Sequence, residues 1–463
     1  VEHPVSRREL LRLGIPAAWA AVGSRLQADD AQDRDVDVLV IGAGASGLAA
    51  ARELSSKLRV VVLEARDRIG GRVWSDRPWG DVTLDMGASW IHGIRGNPIH
   101  ALAQQFKIET HATSYETHWL YRDDGHEYED PEQAATENRA KKLLAELRAG
   151  RKQALSRGEP DLSLQAALDR LIDGRPQTPL QLRELNYQLN SLVEQEYAAD
   201  TNELSYLYYE RGEDFQGQDV LFPHGYGQIT RHLAEGLKVK LNHRVRRVEW
   251  DQKQGVAVAT NQGQFKAKFA VITLPLGVLQ HGSVEFAPAL PAAKVHAIGR
   301  LGMGLMNKTY LRFPRQFWPP QADWIGMVST PKGRWAEYIN VARFVPQPIL
   351  LGFNVATFAR RVERHTDEQT VNGMVAALRA MFGRKVPDPT HAKITRWGAD
   401  PFSLGSYSFL KTGSTPQDYD QLAAPVGGRL FFAGEHTNRR YAATVHGAYL
   451  SGLRAARQVA AHA

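Results

Sequence analysis

The sequence predicts an α/β protein of two domains, one built on a parallel sheet and one of α+β character that interrupts it. Three observations carry this expectation. A glycine-rich turn near residue 42 joins a short apolar run to a helical pattern. A second apolar run, turn and helical pattern close the chain after residue 429. Between them, residues 132–200 are rich in Ala, Glu, Leu, Gln and Arg, the composition of helices. At 463 residues the chain also exceeds what one core ordinarily supports.

The first element is Asp37-Val38-Leu39-Val40-Ile41, short and apolar as a strand buried on both faces must be. It runs into Gly42-Ala43-Gly44-Ala45-Ser46-Gly47, with a helix over 48–54. Val60-Val61-Val62-Leu63 is the next strand and ends at Glu64, 20 residues past Gly44. Gly42 permits the tight turn, Gly44 lets backbone approach a pyrophosphate, and Gly47 lets helix pack on strand. The helix start, with Ser46, presents free N–H groups to phosphates. Glu64 stands where an acid binds ribose hydroxyls. This is a Rossmann-like dinucleotide-binding unit, a design that NAD and FAD share.

At the far end, Arg429-Leu430-Phe431-Phe432-Ala433-Gly434-Glu435 reads as strand and turn, and a last helix opens at Thr444-Val445-His446-Gly447. That helix start would stabilise negative charge on a bound ring. Gly225-Tyr226-Gly227 marks a turn re-entering the sheet domain. The domain is therefore expected to be discontinuous, over 35–94, 215–300 and 391–463. The second domain would take 95–214 and 301–390.

Composition excludes several classes. There is no cysteine, so disulfides, thiolate metal sites and a cysteine nucleophile are ruled out, and no metal ligand set is expected. The net charge is +7, but Lys and Arg are scattered without a dense aromatic-interleaved block, so no nucleic-acid partner is expected. No run reaches the roughly 18 apolar residues of a membrane span. Residues 1–30 read as a leader. Ser6-Arg7-Arg8-Glu9-Leu10-Leu11 precedes a modest apolar run over 13–22 and polar Gln27-Ala28-Asp29-Asp30. This resembles a bacterial twin-arginine export signal, which implies the twin-arginine machinery as a partner, export to the periplasm and cleavage near Ala28.

Further segments carry a family resemblance. Ala65-Arg66-Asp67-Arg68-Ile69-Gly70-Gly71-Arg72 follows Glu64 directly. Asp85-Met86-Gly87-Ala88-Ser89-Trp90-Ile91-His92-Gly93 comes next, with Gly96-Asn97-Pro98-Ile99 after it. Val271-Ile272-Thr273-Leu274-Pro275-Leu276-Gly277 is another strand and turn. Gly304-Leu305-Met306-Asn307-Lys308-Thr309-Tyr310 reads as a strand by its alternation, with a lysine among apolar neighbours. Trp397-Gly398-Ala399-Asp400-Pro401-Phe402 and Gly405-Ser406-Tyr407-Ser408 complete the set. In this order they resemble the flavin-containing amine oxidases, in the polyamine and spermine oxidase branch. The catalytic domain of FAD-dependent histone lysine demethylases is similar too. No insertion resembles the demethylase's long helical hairpin, which argues against a chromatin role.

The resemblance implies non-covalent FAD, or at least a flavin not tethered through cysteine. It implies that Ala65, Arg66, Gly71 and Arg72 hold the cofactor with the first glycine turn. Gly87, Ala88, Ser89, Trp90 and Pro275 would line it, Val245 would meet adenine, and Trp397, Ser406 and Tyr407 would flank the flavin. Gly434 and Glu435 would meet the ribityl–pyrophosphate region, and Thr444 and Val445 the ring. Lys308 would sit beside flavin N5 through a water and assist the reaction with oxygen. Tyr407 and Thr444 would wall the reacting carbon, although Thr444 stands where relatives often carry a second aromatic. His92, Glu196 and Glu194 are candidates for reading distal nitrogens, with Trp90 beside them. The implied reaction is oxidation of a polyamine or related primary or secondary amine. Hydride leaves for flavin N5, the imine hydrolyses, and oxygen is reduced to hydrogen peroxide. The rivals are a monoamine or L-amino-acid oxidase on the same scaffold, and a non-catalytic flavoprotein that binds a partner. The basic net charge opposes a cationic substrate unless local acids reverse the field.

Overall fold

A computed structural model describes residues 35–463. The leader expected over residues 1–30 lies outside these residues. Among them, no helix is long and apolar enough to cross a membrane.

The first sheet has eight strands. Its centre is parallel: Asp35–Ile41 lies between Val60–Leu63 and Gly263–Ile272, and Leu430–Phe432 also pairs with Gly263–Ile272. The register aligns the carboxyl ends, because Ile41 stands beside Leu63 and Ile272, and Ile272 beside Phe432. Gly42, Glu64, Thr273 and Ala433 therefore leave the sheet along one edge, the edge at which open α/β sheets bind ligands. Both faces are buried, as the apolar runs require. Val38, Val40, Val60, Val62, Val271 and Phe431 pack under helices, while Leu39, Ile41, Val61, Leu63, Ile272 and Phe432 cluster with the antiparallel strands Val245–Asp251 and Gly255–Thr260. The helix Ala45–Leu54 and the last helix, Val445–Ala460, cross where a Cβ on Gly452 would stand 2.1 Å from the Ser46 carbonyl oxygen.

The second sheet has six strands, in the order His391–Ile394, Met306–Arg312, Ile349–Val355, Glu337–Asn340, Trp324–Val328, His118–Arg122. The strand His391–Ile394 falls within the stretch assigned from sequence to the cofactor domain, yet it pairs antiparallel with Met306–Arg312. The boundary there lies later, because sheet pairing and not chain position decides it. Strand alternation puts Met306, Lys308 and Tyr310 on one face. Lys308 is in register with Phe353. The helices Asp130–Arg157, Leu164–Ile172 and Pro179–Leu189 form a separate packed layer, with a π-helical turn Asn190–Glu194 continuing the last of them.

Candidate active site

One cavity of about 970 Å³ runs between the carboxyl edge of the first sheet and the Lys308 face of the second. Its size is at the upper end of ordinary ligand sites, ~300–1,000 Å³. At the sheet edge it is lined by Gly42, Gly44, Ser46, Glu64, Ala65, Gly71 and Arg72. Gly42 has φ +107°, and a Cβ on Gly47 would stand 1.9 Å from the Gly42 carbonyl oxygen. Gly47 is not a lining residue; it is where helix meets turn, the packing role its place in the motif predicts. Gly44 caps the helix without any side-chain bond, which leaves the first-turn N–H groups for a ligand. Gly70 N donates to Ala43 O (2.8 Å), which joins the two glycine segments. Glu64 accepts from Ala43 N (2.7 Å) at one oxygen and from Arg66 N (2.9 Å) at the other. Each oxygen retains a further lone pair for a ribose hydroxyl. Val245, Pro275, Gly434 and Val445 line the same space. These donors and acceptors fit a dinucleotide.

Three expected cofactor residues have additional work. Arg66 lines the cavity, but its guanidinium is held bidentately by Asp400 (2.8 and 2.8 Å) and by Ser403 (2.9 Å), so it orients the wall and leaves no fork for phosphate. Arg72 Nη1 donates to Glu435 (2.9 Å) and to Ser406 O (2.7 Å). Glu435 in turn accepts from Ser408 Oγ (2.6 Å) and Ala443 N (3.1 Å). Glu435 lines the cavity and its carboxylate also joins these chain segments, with Oε1 accepting from Arg72 alone among the described residues.

The wall opposite the glycine turns carries Gly87, Ala88, Ser89, Trp90, Met306, Lys308, Trp397, Ser406 and Tyr407. Lys308 is 4% exposed, and its Nζ donates to Asp85 O (2.9 Å), Gly87 O (2.7 Å) and Ser89 Oγ (2.5 Å). Burial lowers its pKa, and the nearby Asp85 carboxylate pulls the other way. Burial likewise raises Asp85, opposed by Lys308, Ser75 Oγ and Tyr226 N. Trp397 Nε1 donates to Met86 O (3.1 Å), and Tyr407 Oη donates to Gln195 O (2.6 Å). Thr444 lines the cavity, but its hydroxyl caps the last helix by accepting from Gly447 N (2.9 Å), and it donates to Tyr441 O (2.9 Å).

His92 and Glu196 both line the cavity. His92 Nδ1 is 2.9 Å from Asp219 Oδ2. Burial would lower the His92 pKa, but Asp219, Glu196 and Asp214 together raise it above the ordinary value. Asp219 thus favours the charged form of His92. Glu196 is raised by burial, against His92 and with Asp214 and Asp219. Glu194 is not part of the cavity lining. It is 2% exposed, bound by Lys332 Nζ (2.6 Å), Thr201 N (3.0 Å) and Asn190 Nδ2 (3.0 Å), so its expected substrate role is corrected to a buried structural ion pair. Residues two apart on a helix face opposite ways, so one of the two acids had to turn inward.

The sequence reading missed an aromatic wall and an acid. Trp90 stacks on Trp324 at 5.7 Å, and Tyr115 on Trp324 at 4.8 Å, with Phe353 beside them. Glu337, from the strand Glu337–Asn340, lines the cavity and is 6% exposed. Burial pushes its carboxyl up against hydrogen bonds from Ser191, Tyr187 and Gln195. Glu210 and Glu213 also line the cavity but pair with Arg148 and Arg440. Glu196, Asp214 and Glu337 thus bring local acids to the cavity of a basic chain.

Comparison with known proteins agrees with this geometry. The family described as flavin containing amine oxidoreductase matches residues 45–460. Lysine-specific histone demethylase 1 homolog 3 of Oryza sativa subsp. japonica is 37% identical over 445 residues, covering 92% of this chain and 54% of that protein. The chain thus spans about half the length of the demethylase homologues it matches. Probable polyamine oxidase 4 of Arabidopsis thaliana is 34% identical, covering 90% of this chain and 86% of that protein. A solved structure of putrescine oxidase bound to putrescine shares the fold, with a TM-score of 0.77 at 22% identity, over 92% of this chain and 99% of the other. The chain belongs to the flavin-containing amine oxidoreductases, and the cofactor its cavity takes is FAD.

Proposed function

We propose that this chain oxidises a polyamine or a related primary or secondary amine, with oxygen as final acceptor. The observation that carries the reading is one cavity that joins the dinucleotide cradle to buried Lys308, an aromatic wall and the acids Glu337 and Glu196. FAD, when bound, supplies the acceptor for hydride from the carbon beside nitrogen. The protein's share is placement and protonation. An amine near Lys308 enters a buried region beside another cation, and both effects drive it to the neutral form that oxidation needs. A second nitrogen, farther along the chain, is held as ammonium by carboxylates and aromatic faces. One neutral and one charged nitrogen describe a diamine or polyamine better than a monoamine. The similarity to polyamine oxidases agrees with it. Export of the folded chain stays part of this proposal and rests on Arg7-Arg8 and the run after them.

The test is anaerobic mixing of the holoenzyme with spermine, spermidine, their acetylated forms, putrescine, aromatic monoamines, an L-amino acid and a methyl-lysine peptide. Bleaching of the flavin by the polyamines is expected. If no amine bleaches it, the reading fails. Glu337→Gln sharpens the test. It should weaken the concentration dependence of flavin reduction by putrescine about tenfold or more, the scale of one hydrogen bond to a charged group. An aromatic monoamine should be nearly unaffected, and equal losses for both would remove Glu337 from substrate reading.

A further inference from the structure

We propose that Tyr187 and His118, which stand outside the cavity lining, are positioning residues for Glu337 and set how well the site tells a diamine from a monoamine. The inference rests on the reading of Glu337 above, as an acid that meets a second nitrogen. It starts from Gly326, in the buried strand Trp324–Val328. Gly326 pairs with Glu337 on one side and with Leu120 on the other. Its φ is not positive, so backbone conformation does not call for glycine there. Space does. A Cβ on Gly326 would stand 2.2 Å from Tyr187 Oη and 2.7 Å from His118 Nε2. The sheet carries a notch beside Glu337, and the polar ends of Tyr187 and His118 fill it.

Hydrogen bonds through the notch run one way. Gln133 Nε2 lies 3.3 Å from His118 O and 3.2 Å from His118 Nδ1. A carbonyl oxygen needs a donor, so the amide nitrogen of Gln133 faces it, and Nδ1 accepts from that same nitrogen. Burial holds the His118 imidazole down at about 4, so it is neutral at ordinary pH and carries its proton on Nε2. Nε2 donates to Tyr187 Oη (3.1 Å), and Tyr187 Oη donates to Glu337 Oε1 (3.3 Å). Burial raises the Tyr187 hydroxyl, and Glu337 adds to this, so the phenol keeps the proton it donates. Each donor in the series is polarised by the one behind it. Ser191 and Gln195 also bond Glu337, but from the cavity lining. The charged group that acts on the series from the helix Asp130–Arg157 is Glu137, and Tyr115 stands near both Glu337 and Glu196. A buried carboxyl without donors is driven to its neutral form. Neutral, it gives an ammonium little hold. The donor from Tyr187 keeps Glu337 a carboxylate, which the far ammonium of a diamine needs and an aromatic monoamine does not.

The experiment compares wild type, Tyr187→Phe, His118→Leu, His118→Gln and Gly326→Ala as holoenzymes. Infrared difference spectra across pH, taken without amine, give the titration midpoint of Glu337 from the carboxyl band that Glu337→Gln lacks. Anaerobic mixing, on the acid side of that midpoint, gives the half-saturating putrescine and aromatic monoamine for flavin reduction. Tyr187→Phe keeps the ring and removes the donor. It should raise the Glu337 midpoint by about one pH unit, the scale of one hydrogen bond to a charged group. Half-saturating putrescine, relative to the monoamine, should rise about tenfold with it. His118→Leu should move both the same way by less. His118→Gln, whose amide can donate to Tyr187, should restore them, and Gly326→Ala, which fills the notch, should act as Tyr187→Phe does. An unchanged midpoint in Tyr187→Phe overturns the proposal, even in a variant that melts lower, and so does a shifted midpoint with unchanged discrimination. If every amine leaves the flavin oxidised, the diamine reading falls and discrimination with it. The midpoint, read without amine, still decides whether the pair holds Glu337.

Discussion

Lys308→Met is expected to slow reoxidation of the reduced enzyme by oxygen about tenfold or more, while reduction by amine changes less. The size is that of losing one positioned proton donor. Methionine keeps the length and apolar body of the side chain, so the strand Met306–Arg312 and its pairing with Ile349–Val355 should survive. What does not survive is the charge beside Asp85, which lies wholly inside the protein with a pKa already raised by burial. Methionine also leaves the Gly87 carbonyl and the Ser89 hydroxyl without their donor, at about 1–3 kcal/mol for a buried group left unpaired. The pH dependence has a definite sign. A carboxyl whose folded pKa is raised holds a proton that the unfolded chain releases above its ordinary 3.8. Its contribution to stability therefore falls as pH rises through that window. The variant should lose more melting temperature at pH 8 than at pH 5. Stopped-flow oxygen mixing and melting at the two pH values check both halves, and unchanged reoxidation would remove Lys308 from the chemistry.

The cradle was legible from sequence because its geometry is local. A strand of five apolar residues, glycines at Gly42, Gly44 and Gly47 and the acid Glu64 are fixed by spacing along one short stretch. Parallel pairing then aligns Ile41, Leu63, Ile272 and Phe432. Lys308 stood out as a charge among alternating apolar residues. What was not legible depends on partners far along the chain. Asp400, which occupies Arg66, is 334 residues away. Glu337 reaches the cavity only because its short strand pairs between Trp324–Val328 and Ile349–Val355. Nothing in the residues around it sets that register. Glu194 and Glu196 carried the same local signal, and which one turns inward followed from Lys332, a partner more than a hundred residues on. The strand His391–Ile394 joined the second sheet for the same reason.

Glu435→Ala is expected to yield a protein that holds FAD poorly and melts well below the wild type. Glu435 is 4% exposed and stands where three separated segments meet: Arg72 beyond the second glycine motif, Ser408 beside Tyr407, and Ala443 at the entry to the last helix. Burial alone would raise its carboxyl, but Arg72, His436 and Ser408 outweigh this and hold it below the ordinary 4.5. Alanine leaves Arg72, whose side chain is only 22% exposed, without its counter-charge, and leaves Ser408 and Ala443 without an acceptor. The loss should approach the ~3–5 kcal/mol of a broken buried pair. Here a depressed folded pKa gives stability that is present above the unfolded value and lost as pH falls through the carboxylate range. The wild type should therefore shed part of its melting temperature on acidification, and Glu435→Ala should shed less. Glu435→Gln separates charge from contact: it keeps an acceptor for Ser408 and Ala443 but not the ion pair. If glutamine retains wild-type flavin content and acid sensitivity, the charge is not what joins these segments. If alanine does so, Glu435 does not hold the two ends of the cofactor site together.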